Sequence, residues 1–168
     1  MINLESYLPP NTRTIRIIPN VACAVQEGGV LMVQGTHATR EDMNAVKDIF
    51  KGVAECFVVP DRLVESASGI LGCGVAYIAM IAEALSDGGV MVGLQRRDAI
   101  QMAAQLLIGT GKLLQETGKH PGEVKDSVCS PNGTTIRGVQ ALEKGGLRAS
   151  LMEAVEATVK RAEEVRPK

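Results

Sequence analysis

The sequence predicts a short α/β segment followed by an all-helical domain, and three observations lead to this fold class. Two apolar runs near the N-terminus have the length and the bounding residues of buried strands. A segment of helical periodicity and a further apolar run come next, so the order is strand, strand, helix, strand. After Pro60 no strand pattern recurs, and glycines divide the rest into helices. We therefore expect an α/β part over residues 1–60 and a helical part over residues 61–168.

The α/β part is predicted from three strand patterns and one helix pattern. The strands are TRTIRII at residues 12–18, GGVLMVQG at residues 28–35 and ECFVV at residues 55–59. Between the second and third strands, Thr39 has the residue type and position of a helix N-cap, with acidic residues in the first turn behind it. The predicted apolar face of this helix consists of Met43, Val46, Ile49 and Phe50.

The helical part is predicted to begin with a long helix from Asp61 to about residue 87. It is rich in Gly, Ala, Ser and Cys, which let neighbouring helix backbones approach closely, and the run GGVMVGL at residues 88–94 is expected to end it. We expect this apolar helix to be buried. Four shorter helices are predicted at residues 96–116, 121–128, 134–143 and 147–165.

Composition argues against nucleic-acid binding. Hydrophobic residues make up 45% and charged residues 22% of the 168 positions, an ordinary balance for a folded domain. Aromatic residues make up only 2%, which leaves no stacking platform for single-stranded nucleic acid. The net charge of −1 supplies no basic field for a phosphate backbone.

The cysteines predict neither a metal site nor a secreted protein. Cys23, Cys56, Cys73 and Cys129 form no C-x-x-C pair and have no ligand spacing with the two histidines, so no metal is expected. Unpaired thiols and an N-terminus without a basic and apolar leader favour a cytoplasmic protein and leave a mitochondrial one open. The longest uncharged run, residues 66–82, is shorter than the ~20 residues of a spanning helix, so no membrane is expected.

Two glycine motifs are similar to nucleotide-binding loops, but their context indicates helix. GCGVAY at residues 72–77 lacks the third glycine of the dinucleotide motif and does not follow a strand. GTGK at residues 109–112 lacks the first glycine and the final Ser or Thr of a phosphate loop. We interpret the first as a close-packing feature and the second as mid-helix, while His120 followed by Pro121 predicts a helix start.

The segment SVCSPNGTTIRG, residues 127–138, has two interpretations. As a structural turn, Asn132-Gly133 supplies a positive φ, and Thr134 or Thr135 caps the next helix. As a binding loop, the unpaired N–H groups at the helix start grip a carboxylate or a phosphate. Local chemistry leaves both interpretations open.

Several motifs in order resemble the pyrroline-5-carboxylate reductase family. They are ASGILGCGVAYIAMIAEALSDGGVMVGLQRRDAIQMAAQLLIGTGKLL and HPGEVKDSVCSPNGTTIRGVQALEKGGLRASLMEAVEATVKRAEE. The similarity covers residues 13–166 and is most specific over residues 120–146. It implies that the α/β part is the C-terminal remnant of a Rossmann-type nucleotide-binding domain. It also implies that the helical part binds substrate and interlocks with a second subunit, in a homodimer or a higher homo-oligomer.

The resemblance also implies a reaction and roles for named residues. The family reduces the cyclic imine pyrroline-5-carboxylate to proline with NADPH or NADH. The positions that match its substrate loop are Val128, Ser130, Gly133, Thr134 and Thr135. The hydroxyl matching Thr135 approaches the ring nitrogen, which makes this residue the catalytic candidate. Asn20 and Ser127 match positions near the cofactor.

Departures from the family pattern define the alternatives. Val21-Ala22 replaces Thr-Pro, Ser127 replaces an Asn, Asn132 replaces a Gly, and no first βαβ unit with G-x-G-x-x-G is present in the sequence. We therefore expect this chain alone to bind NADPH or NADH poorly and to be inactive. One alternative is a nonenzymatic truncated paralogue or isoform that dimerises with full-length subunits. A more distant one, the helical domain of a β-hydroxyacid-type dehydrogenase, is disfavoured by residues 130–135.

Overall fold

In the computed structural model, which describes residues 5–165, a three-stranded sheet forms first along the chain. Its strands are β1 (Ile15–Pro19), β2 (Gly28–Gln34) and β3 (Ala54–Val58), in the spatial order β1-β2-β3. β1 pairs antiparallel with β2, and β3 pairs parallel with β2 through the register Gly28 to Ala54. Helix α1 (Arg40–Phe50) forms the crossover that a parallel pair requires. The predicted order of strand, strand, helix, strand is confirmed.

The core of this part lies around β2. Val30 and Met32 have no exposed surface and form a buried cluster with Met43 of α1. Val46 and Phe50 pack against the cluster, as the helical periodicity predicts. Ile49 does not, because its side chain is 73% exposed, so the predicted apolar face of α1 is wrong at this position.

The N-terminus of α1 has the predicted cap. The Asp42 N–H donates to Thr39 Oγ1 at 3.2 Å, and the Thr39 N–H donates to Asp42 Oδ2 at 2.9 Å. This reciprocal capping box satisfies two backbone donors at the start of the helix. The bond from the Thr39 backbone holds the pKa of the Asp42 carboxyl below its ordinary value, and Arg13 adds to the effect.

The remaining chain is helical. The helices are α2 (Val64–Leu71), α3 (Gly74–Met91), α4 (Arg96–Thr117), α5 (Pro121–Ser127), α6 (Thr134–Lys144) and α7 (Leu147–Val165). The four shorter predicted helices are confirmed within two residues. His120 is the N-cap of α5, and its Nδ1 accepts from the Gly122 N–H at 3.1 Å, which confirms the predicted helix start.

The predicted single helix from Asp61 to about residue 87 is wrong at its start and in its middle. A 3-10 turn, Asp61–Leu63, precedes α2, so Asp61 does not begin the α-helix. The helix is interrupted at Gly72, where the N–H groups of Gly72 and Cys73 both donate to the Ser68 carbonyl at 2.9 Å. The bond from Cys73 skips five residues, which widens the last turn of α2 and separates it from α3. At the other end α3 runs to Met91, which lies within the run GGVMVGL at residues 88–94, so the predicted end of the helix in this run is confirmed.

Contacts within the chain divide it into two compact units. One unit combines the segment up to Ala76 with the segment from Glu153 onwards, and the other is Tyr77–Met152. In the first unit α2 packs against β2, and Gly69 lies so close to Val155 and Val159 of α7 that a methyl group there would touch both. This division runs through α3 and α7, whereas the boundary at Pro60 stays a prediction.

The apolar helices of the second half are poorly covered by the chain itself. By length and composition alone, the stretch Asp61–Met91 could cross a membrane. Only 6% of its most apolar 18-residue segment is buried inside the chain. The expectation of a buried helix is therefore wrong for the single chain. Large apolar side chains on α3 and α4 are also exposed, namely Ile78, Met80, Met91, Met102, Leu106 and Ile108. Surface of this kind needs cover from outside the chain.

Candidate functional site

The loop between α5 and α6 is built on a tight turn. The Gly133 N–H donates to the Ser130 carbonyl at 3.0 Å, which closes a four-residue turn with Pro131 in its second position. Asn132 follows with a φ of 57°, and Gly133 then returns to an extended conformation at −72°. Proline followed by a residue of positive φ is the pattern of a type II turn. The positive φ predicted from Asn132-Gly133 therefore belongs to Asn132 alone.

The N-cap of α6 is Gly133, which has no side chain with which to cap the helix. The interpretation that Thr134 or Thr135 is the N-cap is wrong, because both residues already lie in the first helical turn. Over residues 5–165, no acceptor or donor engages either threonine hydroxyl. The start of α6 thus leaves its first N–H groups and two hydroxyls open to a ligand, with the positive end of the helix dipole behind them.

The other predicted substrate residues shape the loop. The Val128 N–H donates to the Lys125 carbonyl at 3.3 Å and closes α5, so this donor is used internally, as is that of Gly133. The Ser130 side chain lies directly over the Cα of Gly133, and a β-carbon added there would overlap its hydroxyl. Among the five predicted substrate residues, the backbone donors that the turn leaves open at the helix start are therefore those of Thr134 and Thr135.

Sequence reasoning missed Arg137 as a member of this site. Its guanidinium donates to Asn132 Oδ1 at 3.0 Å, from the first turn of α6 back to the turn that precedes the helix. Both residues line a concavity of about 650 Å³ beside the loop, together with Lys125, Ile136, Val139, Gln140 and Glu143. One signal was available, because an arginine in the first turn of a helix opposes the helix dipole and therefore calls for a local reason.

The two predicted cofactor residues are engaged inside the protein. Asn20 follows β1 in the first unit, and its Oδ1 accepts from the N–H groups of Ala22 at 3.2 Å and Gly29 at 3.1 Å. Its Nδ2 donates to the Leu71 carbonyl at 3.0 Å. Ser127 ends α5 in the second unit, and its hydroxyl donates to the Val124 carbonyl at 2.7 Å. Both side chains thus have structural partners.

A second polar cluster in the unit Tyr77–Met152 joins the end of α3 to the start of α4. Ser86 is 1% exposed, accepts from Arg96 at 2.7 Å and donates to the Glu83 carbonyl at 2.9 Å. Arg96 also pairs with Asp87. These groups line a concavity of about 510 Å³, but they satisfy one another. The cluster therefore fixes the connection between two helices and is a weaker candidate for a binding site than the loop before α6.

Comparison with known families matches the helical half. The profile of "Pyrroline-5-carboxylate reductase dimerisation" matches residues 61–165. This match begins after the sheet and includes the loop before α6. The apolar surface of α3 and α4 therefore lies within a domain whose family is defined by dimerisation.

Relatives from distant organisms match nearly the whole chain. Pyrroline-5-carboxylate reductase 3 of Mus musculus is 43% identical over 165 residues, which cover 98% of this chain and 60% of the relative. Pyrroline-5-carboxylate reductase of Methanosarcina acetivorans is 42% identical over 161 residues, and that of Arabidopsis thaliana is 45% identical over 153 residues. The Methanosarcina match covers 96% of this chain and 60% of that relative, and the Arabidopsis match covers 91% of this chain and 55% of that relative. It therefore matches somewhat more than half of each relative.

Solved structures agree in fold. A pyrroline-5-carboxylate reductase from Coxiella burnetii superposes with a TM-score of 0.93 at 28% identity, over 98% of this chain and 62% of that one. Pyrroline carboxylate reductase of Plasmodium falciparum, solved with NADP bound, gives 0.86 at 28% identity, over 96% of this chain and 65% of that one. With the family profile, these matches establish the fold class that the sequence predicts. The chain belongs to the pyrroline-5-carboxylate reductase family, and it contains the dimerisation domain of that family preceded by three strands.

Proposed function

We propose that this chain is the carboxylate-binding and dimerising part of a pyrroline-5-carboxylate reductase, which reduces the cyclic imine to proline with NADPH or NADH. The observation that carries the proposal is the start of α6. There the glycine N-cap leaves the helix without a side-chain cap, and the hydroxyls of Thr134 and Thr135 have no partner among the described residues. An uncapped helix start of this kind fits a small carboxylate.

In this proposal the chain's own residues bind and orient the substrate. The N–H groups of Thr134 and Thr135 hold the carboxylate, and the helix dipole favours its charge. The Thr135 hydroxyl then faces the ring nitrogen, where it accepts a hydrogen bond from the protonated imine. Such an interaction with a charged group is stronger than one between neutral groups. No strong general acid is needed on this side if the imine is protonated when it binds.

The two residues that match positions near the cofactor, Asn20 and Ser127, have partners within the chain. The Asn20 amide oxygen already accepts two N–H groups, and the Ser127 hydroxyl donates within α5. The 168-residue sequence contains no G-x-G-x-x-G turn for a pyrophosphate. In the complete reductase the cofactor supplies the hydride. We therefore propose that the chain alone is inactive with NADPH and keeps a weak affinity for proline-like carboxylates.

A second candidate function is a nonenzymatic partner that dimerises with full-length reductase subunits. The match to the dimerisation domain and the exposed apolar surface of α3 and α4 favour it. The two candidates differ in what happens when a nucleotide-binding region is supplied. A reductase part gains activity from that region, whereas a nonenzymatic paralogue does not.

The test therefore joins this chain to the nucleotide-binding region of the Methanosarcina relative and measures oxidation of NADPH with pyrroline-5-carboxylate. Thr135→Ala should lower kcat/KM by a factor that corresponds to a loss of about 1.5–3 kcal/mol in transition-state stabilisation, the loss expected for a hydrogen bond to a charged group. Thr135→Ser keeps the hydroxyl and should be mild. An inactive fusion that nevertheless folds and binds NADPH would favour the nonenzymatic partner. Turnover by the 168-residue chain alone would contradict the need for the added region.

A further inference from the structure

We propose that Asn132 and Arg137 act together as a positioning pair that holds the loop of residues 130–135 in its carboxylate-binding conformation. The inference rests on the proposed function of this loop and assigns it two residues that touch no substrate atom in that proposal. Asn132 stands at a position where the family resemblance places a glycine. The pair is therefore a feature in which this chain departs from that pattern.

The backbone at Asn132 has the conformation that the turn requires. Its φ of 57° lies in the left-handed region, which glycine enters freely and asparagine enters more readily than other residues with a side chain. Asparagine therefore keeps the turn that a glycine would make. It adds a side-chain oxygen, which accepts from the Arg137 guanidinium at 3.0 Å.

Arg137 lies near the start of α6, where a cation needs a local partner. A cation in the first turn of a helix lies at the positive end of the dipole, where it is disfavoured. The bond to Asn132 Oδ1 gives this guanidinium a fixed acceptor, and it links the first turn of α6 to the third residue of the preceding turn. Arg137 and Asn132 both line the concavity beside the loop, with Lys125 and Glu143 but without Thr134 and Thr135, so the pair lies beside the proposed carboxylate donors and acts on them through the turn.

The bond between Asn132 and Arg137 also restricts the backbone donors at the start of α6. The turn is closed by one backbone bond, from the Gly133 N–H to the Ser130 carbonyl. A second link across the same turn reduces the number of conformations open to Gly133, whose position sets the direction of the Thr134 and Thr135 N–H groups. Holding donors in place before the ligand arrives raises affinity by lowering the ordering cost of binding.

The test uses the ¹⁵N-labelled 168-residue chain with L-proline as the probe. The Kd is taken from the amide shifts of Thr134 and Thr135, and melting temperature reports folding. Asn132→Gly keeps the positive φ and removes the acceptor, while Arg137→Met removes the donor. Each should weaken binding about threefold to tenfold, the range of a net hydrogen-bond contribution. The double variant should bind no more weakly than Arg137→Met alone, since the second change has no bond left to remove.

A ligand-free measurement separates positioning from simple charge attraction. Arg137→Met leaves residues 130–133 unchanged in sequence, yet it should speed hydrogen exchange of the Gly133 amide about threefold to tenfold by the same reasoning. Arg148→Met removes an exposed cation from α7 and is the charge-matched control, with no change expected at Gly133.

The outcomes distinguish this proposal from the proposed function. A wild-type chain that binds no proline at any accessible concentration overturns the carboxylate site and the pair's role with it. Proline binding with independent, multiplicative effects of the two single variants overturns the pair alone. Unchanged Gly133 exchange in Arg137→Met also overturns the pair alone. Non-additive affinities together with faster exchange support it.

Discussion

The Asn20 side chain and the Leu71 carbonyl are joined by a hydrogen bond of 3.0 Å, between residues 51 positions apart in the sequence. Leu71 is the last residue of α2, and its carbonyl is among those that a helix end leaves without an intrahelical partner. The same Asn20 amide accepts two N–H groups, from Ala22 and from Gly29 at the start of β2. One side chain thus ties the sheet to the point where α2 ends.

Asn20→Ala should lower the free energy of unfolding by about 2–3 kcal/mol, because it leaves partly buried backbone groups without partners. The measurement is chemical denaturation followed by circular dichroism. Asn44→Ala is the matched control, since Asn44 is exposed within α1 and alanine favours a helix. Equal stability of the two variants would contradict a structural role for Asn20.

Local signals explain what the sequence could predict. Thr39 and Asp42 are three positions apart in the sequence, so their capping box follows from residue types and spacing alone. The strand order and the four shorter helices depend in the same way on short apolar patterns. The exposure of Ile49 and the break of the long helix at Gly72 were missed because they depend on packing and on winding, which periodicity does not encode.

The candidate site shows the same limit. The turn and the start of α6 were predicted from Asn132-Gly133, but the cap was assigned to a threonine because threonine is a common N-cap. The structure has Gly133 at that position, and this frees the threonine side chains. The bond between Asn132 and Arg137 joins two helix-start residues, and only the unfavourable placement of Arg137 indicated it in advance.

The capping box predicts a dependence of stability on pH. Hydrogen bonds from Thr39 lower the pKa of the Asp42 carboxyl in the folded chain, so its contribution is fully present above the unfolded pKa of about 4. It is lost as the pH falls through the lower folded pKa. The difference in melting temperature between wild type and Asp42→Asn should therefore be largest near about pH 6–7 and narrow toward about pH 3.

Comparing the variants at each pH cancels contributions from other acids such as Glu5. The pKa of Glu5 is also lowered, chiefly by a hydrogen bond from Thr14 and further by those from Thr36. Thr39→Ala should cost about 1 kcal/mol at neutral pH through the lost cap. A melting-temperature difference for Asp42→Asn that stays constant across this range would contradict the capping interaction.

Alanine substitutions at two glycines of the α6 region should change stability in opposite directions. At Gly133 a β-carbon would overlap the Ser130 hydroxyl, so Gly133→Ala forces that side chain away at a cost of about 0.5–1.5 kcal/mol. At Gly138, within α6, a β-carbon meets no atom of the described chain within 4 Å. Gly138→Ala should therefore stabilise the helix by about 0.5–1 kcal/mol. Denaturation curves of both variants give the direction in which each changes the free energy of unfolding. A lower free energy of unfolding for Gly138→Ala would contradict the open space around Gly138 in the single chain.

The exposed apolar surface of α4 predicts a homodimer that one charge can weaken. Leu106 is 55% exposed and lies beside Met102 and Leu113 on one face of the helix, within the region that matches the dimerisation domain. Leu106→Glu would place a charge in an interface that excludes water, and it should raise the dimer dissociation constant by at least about tenfold. Light scattering over a concentration series measures this shift.

Gln101→Glu is the control for that experiment. Gln101 is exposed on the same helix and lies five residues before Leu106, about 140° away around the helix axis, so the added charge stays in water and the dissociation constant should change little. Two results would contradict the dimer. One is a wild-type chain that is folded and monomeric at micromolar concentration. The other is equal weakening by both variants, because a general effect of charge would then explain the loss and the apolar face of α4 would have no special part in it.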